Sequence, residues 1–266
     1  ATGGFRPGEL IIVAARPSMG KTALAQAIVQ HVSFACGKMA AWFSLEMPAI
    51  EVAERMLSSL AWVPLHFMRS GTNTPGQQVK VTEASERMAN ARFEIADDAS
   101  QRVADIARTS RQLKRRKGLD VVVIDYLQLV VCENPKASRV EQLDELSRGI
   151  KKMAQDFGII VVVVSSLNDT GENQGAPKLR NLRGSRPLGF DANKVFMLAN
   201  DGEEFDGDDP PAYRDVAMIA SKNRGGAKNA KVRMRFHGPT YSFEPVTDEP
   251  EQSWGPQKRG REDAGA

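Results

Sequence analysis

An unbroken apolar run, Leu10-Ile11-Ile12-Val13-Ala14, leads directly into Ala15-Arg16-Pro17-Ser18-Met19-Gly20-Lys21-Thr22, after which Ala23 to Val29 repeats apolar residues at helical spacing. Few patterns constrain a chain more. A buried strand, a tight turn and Gly-Lys-Thr opening a helix form the context in which a turn binds phosphate. The backbone N–H groups of the turn and of the first helical turn have no partner within the helix, so they are free to face an anion. Lys21 adds a cation that reaches outer phosphates, and the Thr22 hydroxyl is a ligand for a magnesium ion between them. The usual first glycine of such a loop is Ala15 here. Its methyl fits if the backbone at that position is not left-handed.

The 266 residues are 41% hydrophobic and 26% charged, the make-up of a globular protein. No apolar run is long enough to span a bilayer, and no signal peptide is expected, so the expected location is cytoplasmic. The two cysteines, Cys36 and Cys132, are far apart in apolar contexts and without zinc spacing. They read as buried free thiols of a reducing compartment. A net charge of only +3 means that any nucleic-acid contact must come from local basic patches.

Past the phosphate loop, Gly37 reads as a helix stop, and residues 39–44 as a buried strand. Leu45-Glu46-Met47-Pro48 follows, placing Glu46 at a strand's carboxyl end, where open α/β sheets bind ligands. Residues 49–60 are expected to be helical and carry Arg55. Helical periodicity continues over 64–92, interrupted by Gly71 and Pro75. A short strand over 93–96 and a basic helix over 103–117 come next. Val121 to Leu129 reads as a strand whose β-branched run is covered on both faces. Its Asp125 can hold the water shell of a magnesium ion. An amphipathic helix is expected over 140–157, and strands over 159–164 and 195–198. Residues 169–181 read as a mobile polar loop, and 201–209 as an acidic surface excursion. Residues 215–221 and 231–236 alternate around Lys222-Asn223-Arg224-Gly225-Gly226, which predicts a hairpin with a basic tip. Residues 240–243 complete the sheet. The fold class is therefore α/β: a mostly parallel central sheet with helices on both faces and an antiparallel C-terminal edge. One domain is expected over 1–246, with a disordered tail over 247–266.

The chain resembles the ATPase domain of replicative hexameric DNA helicases of the DnaB family, a P-loop NTPase with a RecA-like fold. The resemblance runs over residues 3–244. It rests on Ala14 to Thr22, Phe43-Ser44-Leu45-Glu46-Met47, Ile124-Asp125-Tyr126-Leu127-Gln128-Leu129, Ser165-Ser166-Leu167-Asn168, Leu182-Arg183-Gly184-Ser185 and Lys222-Asn223-Arg224. It implies an ATP-hydrolysing motor that translocates on single-stranded DNA and unwinds duplex during replication, with ATP and Mg2+ as cofactors. By this likeness Ala15, Arg16, Pro17, Ser18, Met19, Gly20, Lys21 and Thr22 bind the nucleotide, and Arg55 lies near it. Thr22 and Asp125 hold the metal, and Glu46 is the general base. Lys222 and Arg224 match a basic pair inserted into the neighbouring subunit's site, so a homo-oligomeric ring, a hexamer, is implied. Two DNA-facing loops fall at 131–140 and 169–190, with Arg139, Lys178, Arg180, Arg183 and Arg186 as phosphate contacts. A primase and a helicase loader are the implied protein partners.

Departures from the family pattern concentrate in one place. The family's Ser-Gln-Leu-Asn-Arg is Ser165-Ser166-Leu167-Asn168-Asp169 here, Leu-Arg-Glu-Ser-Gly is Leu182-Arg183-Gly184-Ser185-Arg186, and Gly189-Phe190 replaces an acid-amide pair before Asp191. Ser166 stands where the glutamine that senses the γ-phosphate is expected. Two other readings stay open, the second of them suggested by Ser166 and Asp169. One is a RecA-like recombination or DNA-pairing ATPase, against which the Ser-Leu-Glu-Met and Asp-Tyr-Leu-Gln wording argues. The other is a nucleotide-gated DNA-binding module with weak turnover.

Overall fold

A computed structural model describes residues 3–132, 134, 136–167, 177, 179, 182, 185–202 and 211–246, with residues 185–187 described by backbone alone. Its strands are β1 (Leu10–Ala15), β2 (Met39–Ser44), β3 (Phe93–Ala96), β4 (Leu119–Asp125), β5 (Ile160–Ser166), β6 (Lys194–Asn200), β7 (Tyr213–Asn223), β8 (Lys231–His237) and β9 (Ser242–Pro245). They form one sheet in the order β3-β2-β4-β5-β1-β6-β7-β8-β9. The first six neighbours in that order run parallel. The last three strands join them antiparallel, as the expected C-terminal edge.

The helices are α1 (Lys21–Gln30), α2 (Ala49–Ala61), α3 (Leu65–Ser70), α4 (Pro75–Ala89), α5 (Val103–Lys117), α6 (Arg139–Phe157) and α7 (Ser185–Asp191). Side chains alternate across a strand, and β1 shows what that does here. Leu10, Ile12 and Ala14 enter a core closed by Ile106 of α5, by Leu143, Leu146 and Ile150 of α6 and by Leu188 of α7. Ile11, Val13 and Ala15 enter the opposite core, closed by Leu24 and Val29 of α1 and by Val52 and Met56 of α2. Both faces are dry, so β1 reads as an unbroken apolar run rather than an alternating one. Local signals fix the helix starts. Thr74 and Ser138 each accept from the backbone N–H three residues on, while Gln77 and Glu141 reach back to the cap N–H.

Three expectations need correction. The strand expected over 121–129 ends at Asp125, whose carbonyl accepts the Leu45 N–H at 2.8 Å. The chain then leaves the sheet in a single 3-10 turn, Leu127–Leu129, and buries Leu127 under the α6 side of the core. A continuing apolar run does not distinguish these outcomes. Cys36 is exposed and Cys132 half-buried, so neither thiol is buried; Cys36 follows a π-helical turn, His31–Ala35, that ends the first helix at the surface. Lys222 lies within β7 rather than at a hairpin tip, because β7 runs on to Asn223. The expected mobile loop over 169–181, the acidic excursion and the tail lie largely or wholly outside the described residues. Among the described residues no helix is long and apolar enough to cross a membrane.

Candidate nucleotide site

The phosphate loop begins where β1 ends. Ala15 is fully buried and pairs in register with Ser166 of β5. It is extended strand, not a left-handed position, so a methyl is tolerated where a glycine is usual. The chain then turns through two left-handed residues, Ser18 at φ 61° and Gly20 at φ 81°. Gly20 is required twice over. Besides its φ, a Cβ there would sit 3.0 Å from Phe243 Cζ and 3.3 Å from Phe236 Cε2. Gly20 is also the N-cap of α1 and offers no side chain to the first helical turn, which leaves those N–H groups for an anion.

A cavity of about 820 Å3 opens above this turn, in the size range of small-ligand sites. Lys21 and Thr22 line it together with Glu46 from the turn after β2 and Arg55 from α2. Arg55 packs its guanidinium 4.9 Å from the centre of the Tyr241 ring and 3.9 Å from Glu51. Its Nε is buried with no partner. The Arg55 carbonyl accepts from Gln26 Nε2 of α1, which ties α2 to the phosphate-loop helix.

Asp125 is 1% exposed, and neither of its carboxylate oxygens has a hydrogen-bond partner among the described residues. Burial pushes its carboxyl up to about 6; the nearby Thr22 hydroxyl and Lys21 ammonium pull it down, and Glu46 pushes it up again. A buried carboxylate without partners is costly unless something positive completes it. Among the described residues no group of three or more His, Cys, Asp and Glu side chains gathers to cage a cation. The donors present, one hydroxyl and one orphaned carboxylate beside an anion-binding turn, instead fit magnesium, which takes few protein ligands when phosphates and water supply the rest.

The other basic candidates lie elsewhere. Asn223 at the end of β7 pairs with Lys194 at the start of β6, which in turn pairs with Ile11 at the start of β1. Lys222 and Arg224 therefore sit at the amino edge of the parallel strands, opposite the phosphate loop. Lys222 Nζ donates to the carbonyls of Gly189 at 2.7 Å and Phe190 at 2.9 Å, and an Arg224 guanidinium nitrogen donates to Phe190 at 3.2 Å. The Arg224 N–H donates to the Asn193 carbonyl at 3.1 Å. Burial pushes the Lys222 ammonium below its ordinary value, and the Arg224 charge adds to that. Arg139 opens α6 and is exposed, with contacts to Gln142 and to the Gln128 carbonyl. Lys178, Arg180 and Arg183 fall outside the described residues, as does the Arg186 side chain. The structure thus brings Lys21, Thr22, Glu46, Arg55 and Asp125 to one edge. It separates them from Lys222 and Arg224. One charged cavity residue carried no signal in the sequence: Arg214, near the start of β7.

Residues 1–245 match the family model described as the DnaB-like helicase C terminal domain. The replicative DNA helicase DnaB of Geobacillus stearothermophilus is 36% identical over 228 residues, 85% of this chain and 50% of that protein. That of Leifsonia xyli subsp. xyli is 34% identical over 233 residues, 87% of this chain and 51% of that protein. The chain thus spans about half the length of the curated relatives it matches. A solved ATPase domain superposes with a TM-score of 0.84 at 28% identity, covering 92% of this chain and 87% of that one. A solved DnaB-like replicative helicase, described with its interactions with primase, superposes at 0.83 and 28% identity, covering 92% of this chain and 59% of that one.

Proposed function

Since the chain belongs to the DnaB-like helicase C terminal domain family, we propose that it is the ATP-driven motor of a ring-shaped DNA helicase, with ATP bound between neighbouring subunits. The observation that carries this reading is the division of the site. One edge of the sheet holds a cavity lined by the phosphate loop and Glu46, with Asp125 buried beside Thr22 and Lys21, while the charge-stabilising pair Lys222 and Arg224 lies at the other edge. A chain so divided serves its own nucleotide with the first set and a second copy's nucleotide with the pair. Repetition of that head-to-tail contact closes a ring, and a hexamer is the closure favoured by the family.

In this mechanism the backbone N–H groups after Gly20 and the Lys21 ammonium hold the β- and γ-phosphates. Thr22 and Asp125 would hold magnesium, which would supply positive charge to offset that of the phosphates. Glu46 accepts a proton from water as its oxygen attacks the γ-phosphorus, the bond to the bridging oxygen breaks, and ADP leaves. Lys222 and Arg224 of the adjoining copy meet the negative charge that spreads over the transferred group. The same two side chains now cap the carbonyls of Gly189 and Phe190, so reaching a neighbour's phosphates releases the end of α7. That helix directly follows the segment assigned to DNA through Arg183 and its neighbours, which gives the DNA contact a mechanical link to hydrolysis. Single-stranded DNA is the track. A primase is a partner by analogy with the solved DnaB-like helicase described with its interactions with primase, and a helicase loader by the family resemblance.

The test is the ATPase rate of the purified chain with and without single-stranded DNA, with Glu46→Gln as control. Stimulation by DNA that vanishes in the control is expected. A rate indifferent to DNA in assembled rings would favour the nucleotide-gated module, in line with Ser166 in place of a glutamine.

A further inference from the structure

Among the described residues Arg214 is a cation without an acid. It is half-buried at the start of β7, and among the described residues it makes no ion pair. Its guanidinium carries five N–H donors, yet its protein hydrogen bond among the described residues is a single one, to the Ser18 carbonyl at 2.9 Å. One face lies on the Phe236 ring, 5.2 Å from its centre. Burial pushes the group below its ordinary value. An arginine kept for structure alone is normally paired when desolvated. Here the side chain lines the cavity that Lys21 and Thr22 line.

The position of its one hydrogen bond is informative. Ser18 is a non-glycine residue at φ 61°, two residues before Gly20. A left-handed serine is held by its surroundings, not by preference. Arg214 fastens the carbonyl of that residue, and Phe236, on which the guanidinium rests, is in turn the ring that packs against Gly20. The antiparallel edge thereby braces the turn from which the phosphate-binding N–H groups project, and brings its own positive charge to the rim.

We propose that Arg214 is a further nucleotide-site residue, which fixes the apex of the phosphate loop through Ser18 and supplies the cavity with a third cation, beside Lys21 and Arg55, for a bound nucleoside triphosphate. This rests on the nucleotide reading of the cavity and deepens it. The ligand completes the open guanidinium donors with anionic or polar oxygens. Its contribution is to binding, not to the bond-breaking step, so it shows in KM and not in kcat.

The experiment is equilibrium binding of a fluorescent, non-hydrolysable ATP analogue to the full chain, followed by steady-state ATPase. Arg214→Ala is expected to weaken binding about tenfold, the scale of one charge-assisted hydrogen bond, and to raise KM by a similar factor with kcat within about twofold. Arg214→Lys should recover part of the loss and Arg214→Gln, which can donate but is neutral, less. Thermal melting without nucleotide confirms that each variant is folded. Wild-type affinity in Arg214→Ala, or full recovery in Arg214→Gln, would overturn the proposal. Lys21→Ala is the benchmark. If it too bound normally, the nucleotide reading itself would fall; if it lost binding while Arg214→Ala kept it, only the role of Arg214 would.

Discussion

At the carboxyl ends of β1, β2 and β4 the chain gathers an anion-binding turn, one carboxylate and two arginines around one cavity, with a second carboxylate, Asp125, buried beside Lys21 and Thr22. At the amino ends of the same parallel strands it places Lys222 and Arg224 against the carbonyls that end a short helix. The first region has chemistry that its own fold leaves incomplete: an orphaned buried carboxylate, an unpaired Arg55 Nε and open helix N–H groups. In the second, the cations rest on backbone, donating to the carbonyls of Gly189 and Phe190. The contrast shows how one sheet can carry both sides of an interfacial active site. On the proposed reading, the side that waits for ligand is unsatisfied in isolation, and the side that would visit a neighbour has a resting place.

If the two edges serve one reaction across an interface, Arg224→Ala should lower turnover most, by roughly 10³-fold or more, in rings that still bind nucleotide. Steady-state ATPase beside analogue binding checks this, and a near-normal rate would break the pairing of the edges. Glu46→Gln should follow at roughly 10²–10⁴-fold, again with binding kept. Loss of binding instead would make Glu46 a structural acid.

The third effect belongs to the carboxyl edge alone and reads out in stability. Asp125 has a folded-state carboxyl raised to about 6 from 3.8. Between those values the folded state holds more protons than the unfolded chain, so stability falls as pH rises through that window. Without nucleotide, Asp125→Asn should therefore melt higher than wild type at pH 8, by roughly 2–3 kcal/mol at most, and lose that advantage toward pH 4. Chemical denaturation at both pH values decides it; a pH-independent difference would mean the carboxylate is compensated. The smallest effect is expected at exposed Arg139. Arg139→Ala should weaken single-stranded DNA binding a few-fold and reduce its salt dependence by about one ion, while leaving nucleotide affinity alone. A salt slope equal to wild type would remove Arg139 from the DNA surface.

Much of this was legible in the chain itself. Strand limits over 39–44 and 93–96 and the helix over 103–117 follow from apolar runs bounded by turn residues, and the structure has the same limits. The phosphate loop is legible because its chemistry is local: strand, turn and helix N-terminus are adjacent in sequence. Asp125 and Glu46 are legible because each sits just past a buried run. Arg214 is not, since it reaches Ser18 across a sequence separation of 196 residues. Alternation in β7 says which residues share a face, but not which end of the strand lies beside the loop. The exposure of Cys36 was hidden for a similar reason, because apolar neighbours do not reveal that a π-helical turn ends the first helix at the surface. The four basic candidates in 178–186 came from resemblance alone, and their side chains lie outside the described residues.

The most direct measurement is complementation in mixed rings of Lys21→Ala and Arg224→Ala chains, each nearly inactive alone. If Arg224 acts on a neighbour's nucleotide, mixed rings contain interfaces that pair an intact phosphate loop with an intact arginine, and ATPase activity should reappear with a maximum at intermediate mixing ratios. Activity that stays at the level of the separate mutants, in rings shown by native mass spectrometry to contain both chains, would contradict the shared site.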